Sequence, residues 1–466
     1  MTTAVVIGSG PNGLAAAIVL ARAGLDVTVV EAEDEPGGGM RSAELTVPGV
    51  IHDICSAAHP TGIASPFFSS LDLQRHGLTW RWAEVEAGHP LDGGRGAALR
   101  RDIGATAAGL GVDGETWRRT LTPLVERADQ ITRSTLAPLV AVPKHPLVMA
   151  RFGALGLAPS TVLARRFHTA EARALLAGLT AHSIAPHTRW ATGALGLMFA
   201  VMGHARGWPV AEGGSAAITR ALVAVLEESG GTVVTGERVT AVPDADVVMF
   251  DTGVDQPLAM LGDRLPPRVS RALRRWQPGP GLFKIDLAVD GGIPWTHPDM
   301  ALAGTVHVGG TLEEIHAADS AVSAGRVAER PFVMVCQQHV ADPTRSRGSI
   351  HPVLAYAHVP HGYTGDATET ILDQIERFAP GTRERIVGRS VTSTTDLQAH
   401  NANYVGGDVT GGAMTLRQTV ARPRLSLDPY WLGLPGLYLC SASTPPGGGV
   451  HGMAGFHAAT AAVARL

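Results

Sequence analysis

Six residues near the start of the chain carry the densest chemistry. Gly8-Ser9-Gly10-Pro11-Asn12-Gly13 is a G-x-G-x-x-G run, a pattern that suits a dinucleotide. The first glycine permits a tight turn, the second lets backbone approach a pyrophosphate, and the third lets a helix pack against a strand. The phosphates then rest on the positive end of the following helix. Glu31 lies about 20 residues further on, where a carboxylate holds a ribose hydroxyl. The setting makes the run specific: Ala4–Ile7 and Asp26–Glu31 read as strands, and Leu14–Ala23 reads as a helix between them.

A second cluster, Pro36-Gly37-Gly38-Gly39-Met40-Arg41-Ser42, follows. Consecutive glycines offer amide N–H groups to an anion, and Arg41 adds a charge-assisted contact. A plain NAD domain has no need of this cluster, whereas FAD runs on past its pyrophosphate toward the flavin ring. Two later stretches repeat the strand, glycine and helix logic. Glu212-Gly213-Gly214-Ser215 leads into a helical run over Ala217–Glu228, with strands at Gly231–Thr235 and Asp246–Phe250. Near the end, a strand at Gly436–Cys440 precedes Gly447-Gly448-Gly449-Val450-His451-Gly452-Met453 and a helix over Ala454–Arg465.

The elements that position these loops imply an α/β fold. It comprises a discontinuous Rossmann-type FAD-binding domain (1–75 with 205–255 and 410–466) and a mixed α+β substrate domain (76–204 with 256–409). Within the latter, Thr116–Ile131 and Ala170–Ala181 read as helices, and 281–289, 331–337 and 353–359 as strands. A mixed sheet with helices over one face is expected. The 466 residues are 45% hydrophobic and 17% charged, which excludes a disordered chain. With 38 basic against 42 acidic residues there is no field for nucleic acid. Cys55, Cys336 and Cys440 form no Cys-x-x-Cys pair, which argues against a zinc site or a dithiol relay. His358 and His361 lack partners at ligand spacing, so no metal is expected. Strand-like chain from Ala4 leaves no room for a secretory signal, which points to the cytoplasm. The apolar stretches Phe152–Ala164 and Thr192–Gly203 are too short to span a bilayer.

Together these blocks resemble the phytoene desaturase-related FAD-dependent oxidoreductases, whose superfamily includes carotenoid isomerases, retinol saturase and, more distantly, amine oxidases. The resemblance extends over nearly the whole chain, through HDICSAAHP (52–60), GWPVAEGGSAAITRAL (207–222), NANYVGGDVTGGAMTLRQ (401–418) and LYLCSASTPPGGGVHGMAGFHAA (437–459). It implies FAD, with Gly8, Gly10, Pro11, Asn12 and Gly13 at the pyrophosphate and Glu31 with Ala32 at the adenosine ribose. It puts Gly37, Gly38, Arg41 and Ser42 on the phosphate and ribityl side, Val239 at the adenine, and Gly448, Gly449, Val450, Gly452 and Met453 along the flavin. Many relatives carry Gly-Asp after the last strand, whereas this chain has Ser441-Ala442-Ser443. A hydroxyl or the backbone must therefore take over the ribityl contact.

Flavin supplies the redox chemistry, and the protein binds, orients and tunes it. The resemblance points to desaturase-type hydride transfer from an apolar polyene, isoprenoid or lipid-like substrate to flavin N5. The electron acceptor stays open among oxygen, quinone and nicotinamide. His59 and His451 sit in blocks expected to border the ring and are the candidate bases. The alternatives are an amine oxidase, a redox-neutral isomerase and a non-catalytic FAD-bound partner protein. Between Ser134 and Ala164 the only charged side chains are Lys144 and Arg151. This stretch and Leu195–Met202 are expected to line an apolar tunnel whose rim makes at most weak, peripheral membrane contact.

Overall fold

The apolar runs Thr3–Ile7 and Asp26–Val30 fold as neighbouring parallel strands, with Thr3 opposite Asp26 and Ile7 opposite Val30. The structure is a computed structural model that describes residues 1–140 and 143–466. Ala141 and Val142, in the apolar stretch after Ser134, lie outside the described residues. Three further strands complete a parallel sheet in the order Leu437–Leu439, Val247–Phe250, Thr3–Ile7, Asp26–Val30, Thr232–Val234. Three separate stretches of chain thus build one sheet, as a discontinuous Rossmann-type unit requires. Helices Pro11–Arg22 and Met453–Val463 pack on each other so closely that a Cβ on Gly455 would collide with the Asn12 carbonyl.

The second sheet has seven strands, in the order Ile386–Thr392, Gly281–Asp290, Ile350–Val359, Val333–Cys336, Ala303–Val308, Val85–Leu91, Arg95–Leu99. All neighbours are antiparallel except Ala303–Val308 with Val85–Leu91, so the sheet is mixed. Helices cover both of its faces, not one as expected. Ile371, Leu372, Ile375 and Phe378 of helix Thr368–Phe378 pack on Phe283, Ile285 and Leu287. On the other side, Leu175, Leu176 and Leu179 of helix Ala170–Ala181 join a core with Ala87, Leu99 and Phe332. Burial on both sides explains why Gly281–Val289 is buried throughout, with even Lys284 and Asp286 inside.

The expected helix over Thr116–Ile131 is two helices, Gly114–Val125 and Ala128–Thr135. The break follows Pro123, whose ring and missing N–H weaken the helix around it. Among the described residues, no single helix is long and apolar enough to cross a membrane. Pro146–Gly156 and Ser160–Arg166 pass only as a pair bent by 88°.

Candidate functional site

The glycine turn behaves as its sequence demands. Gly8 has φ +98°, and Gly10 is the extended residue that caps helix Pro11–Arg22. Glu31 folds back onto this turn: its Oε2 accepts from the Ser9 amide at 2.9 Å and the Ser9 hydroxyl at 2.5 Å. The Ser9 hydroxyl also accepts from the Gly37 amide at 3.0 Å, which ties the two glycine clusters together. Arg41 approaches Glu31 at 3.6 Å.

A residue missed by sequence reasoning sits in the middle. Asp251, just after strand Val247–Phe250, accepts from the Gly13 amide at 2.8 Å. A Cβ on Gly10 would lie 2.7 Å from the same carboxylate. Burial pushes the Asp251 carboxyl up to about 7, with the nearby Glu31 charge adding to the effect. No short motif marks this aspartate. Its only sequence signal is its place at the carboxyl end of a parallel strand beside the glycine turn.

One cavity of about 680 Å³ joins the dinucleotide groove to an apolar chamber. Of the sequence-predicted residues, Gly8, Gly10, Pro11, Asn12, Glu31, Ala32, Gly38, Arg41, Val239, Gly448, Gly449, Val450 and His451 line it. Gly13, Gly37, Ser42, His59, Gly452 and Met453 lie behind that wall. Gly13 is spent on Asp251, and the Ser42 hydroxyl donates to Asp53 at 2.9 Å. Gly452, at φ +67°, caps the last helix against Ala15 and Phe68, and the Met453 amide donates to His451 Nδ1 at 3.0 Å.

The two candidate bases differ in placement. His59 is buried against Ser56 and Trp80. His451 reaches the cavity, and because its Nδ1 accepts a backbone amide, the proton of its neutral ring is on Nε2. Burial lowers both rings to about 4. Cys55 also lines the cavity, and burial raises its thiol. All three cysteines are free.

The rest of the cavity wall comes from the stretches read as a tunnel. Leu136, Met149, Phe152 and Leu157 form one side, and Leu195, Met198 and Phe199 of helix Thr192–Ala205 form another. Leu282, Met334 and Tyr356 of the seven-stranded sheet close it. Every acidic side chain on the wall (Glu31, Glu33, Glu237 and Asp251) belongs to the dinucleotide end.

The residues present fit a dinucleotide. The buried Asn12 Oδ1 and Arg41 Nε have no hydrogen-bond partner, and both side chains line the groove. A Cβ on Gly38 would press to 3.1 Å from Gly10, so the two glycine clusters form one close cradle. Residues 6–71 match the NAD(P)-binding Rossmann-like domain family. The fold around this stretch is Rossmann-like. Across its length the chain is similar to the mouse pyridine nucleotide-disulfide oxidoreductase domain-containing protein 2. The two are 26% identical over 98% of this chain and 92% of the mouse protein. A 48-residue stretch is 60% identical to hydroxyneurosporene desaturase of Rhodobacter capsulatus, covering 10% of this chain and 9% of that enzyme. A solved structure of putrescine oxidase superposes with a TM-score of 0.63 at 18% identity, over 100% of this chain and 98% of the oxidase. The likeness in fold to that oxidase therefore extends over both sheets.

Proposed function

We propose that this protein is an FAD-dependent oxidoreductase that takes hydride from an apolar substrate. The observation that carries the reading is the single void running from the glycine cradle into a chamber walled by Leu, Met and Phe side chains. FAD, when bound, would supply a two-electron acceptor. The chain's own part is to hold and exclude. Gly8 and Gly10 bring backbone to the pyrophosphate, Glu31 takes the ribose, and Arg41 balances phosphate charge. Gly448, Gly449 and Val450 set the edge where the chamber begins, and the apolar wall keeps water from the reacting carbon. His451 serves there as an Nε2–H donor and not as a base, because its other nitrogen is already taken.

An amine oxidase is the second reading, favoured by the fold shared with putrescine oxidase and by Tyr356 and Tyr404 on the cavity wall. Against it, among the described residues no carboxylate lines the chamber side to await an ammonium group. The test is acid release of flavin from purified protein, followed by anaerobic titration with isoprenoid lipids and with alkyl amines. Bleaching of the flavin band by the lipids supports the proposal. Bleaching by amines alone, or a colourless protein, overturns it.

A further inference from the structure

The chamber's apolar wall is interrupted by a histidine whose hydrogen bonding is fixed from behind. His182 follows helix Ala170–Ala181 and lines the cavity. Its ring packs on Phe199 at 4.7 Å and meets Trp208 edge-on at 5.3 Å. Its Nε2 lies 2.9 Å from Nε2 of His307, a fully buried residue of strand Ala303–Val308. One of the two must donate, and Gly178 decides which.

A Cβ on Gly178 would sit 2.8 Å from His307 Nδ1 and 2.7 Å from His89 Nδ1, so both nitrogens abut a Cα–H and find no acceptor. Each therefore keeps its lone pair there. His89 accordingly donates from Nε2 to the Gly310 carbonyl at 2.7 Å. By the same argument His307 donates from Nε2 to His182, which leaves the His182 proton on Nδ1. Burial lowers His182 to about 3, so the ring is neutral. Among the described residues nothing accepts from that Nδ1.

Beside it, Ser183 is 3% exposed, lines the cavity, and has a hydroxyl with no partner. The next residue, Ile184, has φ +46°, a costly conformation for a β-branched side chain that holds this turn against the chamber. Among the described residues no charged side chain lines this part of the wall. A donor pair facing an apolar chamber, with the Ser183 hydroxyl buried and without a partner, is unfavourable until a ligand supplies an acceptor.

We propose that the Nδ1–H of His182 and the hydroxyl of Ser183 form a recognition site for an uncharged carbonyl oxygen, so that the substrate is an apolar molecule bearing one such group. The inference rests on the apolar-substrate reading above and narrows it. A neutral donor favours a carbonyl over a carboxylate, which would need a cation, and over an ammonium, which would need an acid.

Binding of a long-chain methyl ketone and of the alkane of equal length tests this, read by fluorescence of Trp190 and Trp208 in the flavin-loaded protein, with flavin content measured separately. The ketone is expected to bind about tenfold more tightly. The preference should vanish in His182→Leu. It should largely survive in His182→Gln, whose amide accepts from His307 and still donates. If the leucine variant does not fold, Ser183→Ala should reduce the ratio severalfold. Tight and equal binding of ketone and alkane overturns this inference and leaves the apolar reading standing. Binding of neither to flavin-loaded protein overturns both.

Discussion

Asp251 shows at the residue scale why the glycine turn is strict. Gly13 hands its amide to this carboxylate, and Gly10 has no room for a Cβ beside it. The carboxyl is raised to about 7, so it loses its proton near neutrality while close to Glu31. Asp251→Asn keeps an acceptor for the Gly13 amide and removes the like-charge contact. The variant is expected to be more stable by on the order of 2 kcal/mol at pH 8. The gain should shrink toward pH 5, where the wild-type carboxyl is protonated, and thermal melting at both pH values checks this. Equal stability at pH 8 would remove the charge from the account. Gly8, Gly10 and Glu31 were legible in sequence because a local turn demands them. Asp251 was not, since only a strand crossover brings it within reach of residues 238 positions away. The same holds for His182 and His307, separated by 125 positions and joined only by the packing of a helix end on a strand.

Elements were legible wherever their pattern was local. Helix Ala170–Ala181 has the bounds its composition implied, with Thr169 capping it through an acceptor bond from Ala172 N–H. Residues 281–289 read as a strand, but their pattern did not reveal that the face carrying Lys284 and Asp286 is buried with the two paired, because alternation shows which side chains share a face and not what that face meets. The apolar stretch after Ser134 became helices Pro146–Gly156 and Ser160–Leu163, and their packing left a hydrophobic rim. Leu139, Leu157 and Trp190 line the cavity and are also exposed to solvent, so they frame its mouth. Leu147, 86% exposed, and Val162 extend this apolar surface. Lys144, Arg151, Arg165, Arg166 and Arg189 are exposed along the same segments, and no acidic residue occurs from Leu136 to Ala170. We expect weak flotation with anionic vesicles, reduced about tenfold by Leu147→Ser with Val162→Ser and suppressed by salt. Neither residue lines the cavity, so flavin content should not change. Undiminished flotation of the double variant would place the contact elsewhere.

The molecule as a whole buries many histidines in neutral form. Desolvation holds His52, His59, His89, His339 and His451 at about 4 and His182 at about 3, against 6.5 for a free imidazole. Between these values the unfolded chain binds protons that the folded chain refuses, so stability must fall as pH falls through this window. Burial acts oppositely on three carboxyls, raising Glu86 and Asp251 to about 7 and Asp286 to about 6. The folded state takes those protons first, which favours it in acid. Burial lowers His204, His307, His400 and His457 as well, so the histidines outnumber the three raised carboxyls and the net effect in this window is a loss of stability in acid. Asp53 and Asp319 do not change this window. Despite the cost of burial, the Arg345 guanidinium beside Asp53 and the His358 and His187 side chains beside Asp319 keep both carboxyls below the ordinary aspartate value. Their contribution is lost only as pH falls below about 4. The melting temperature is therefore expected to drop steadily from pH 7 to pH 5, well above the usual carboxylate range. His89→Gln tests the cause. Its amide can donate to the Gly310 carbonyl that His89 now bonds, and it does not titrate. Scanning calorimetry should find a shallower acid slope in that variant, and an unchanged slope would assign the loss to other groups.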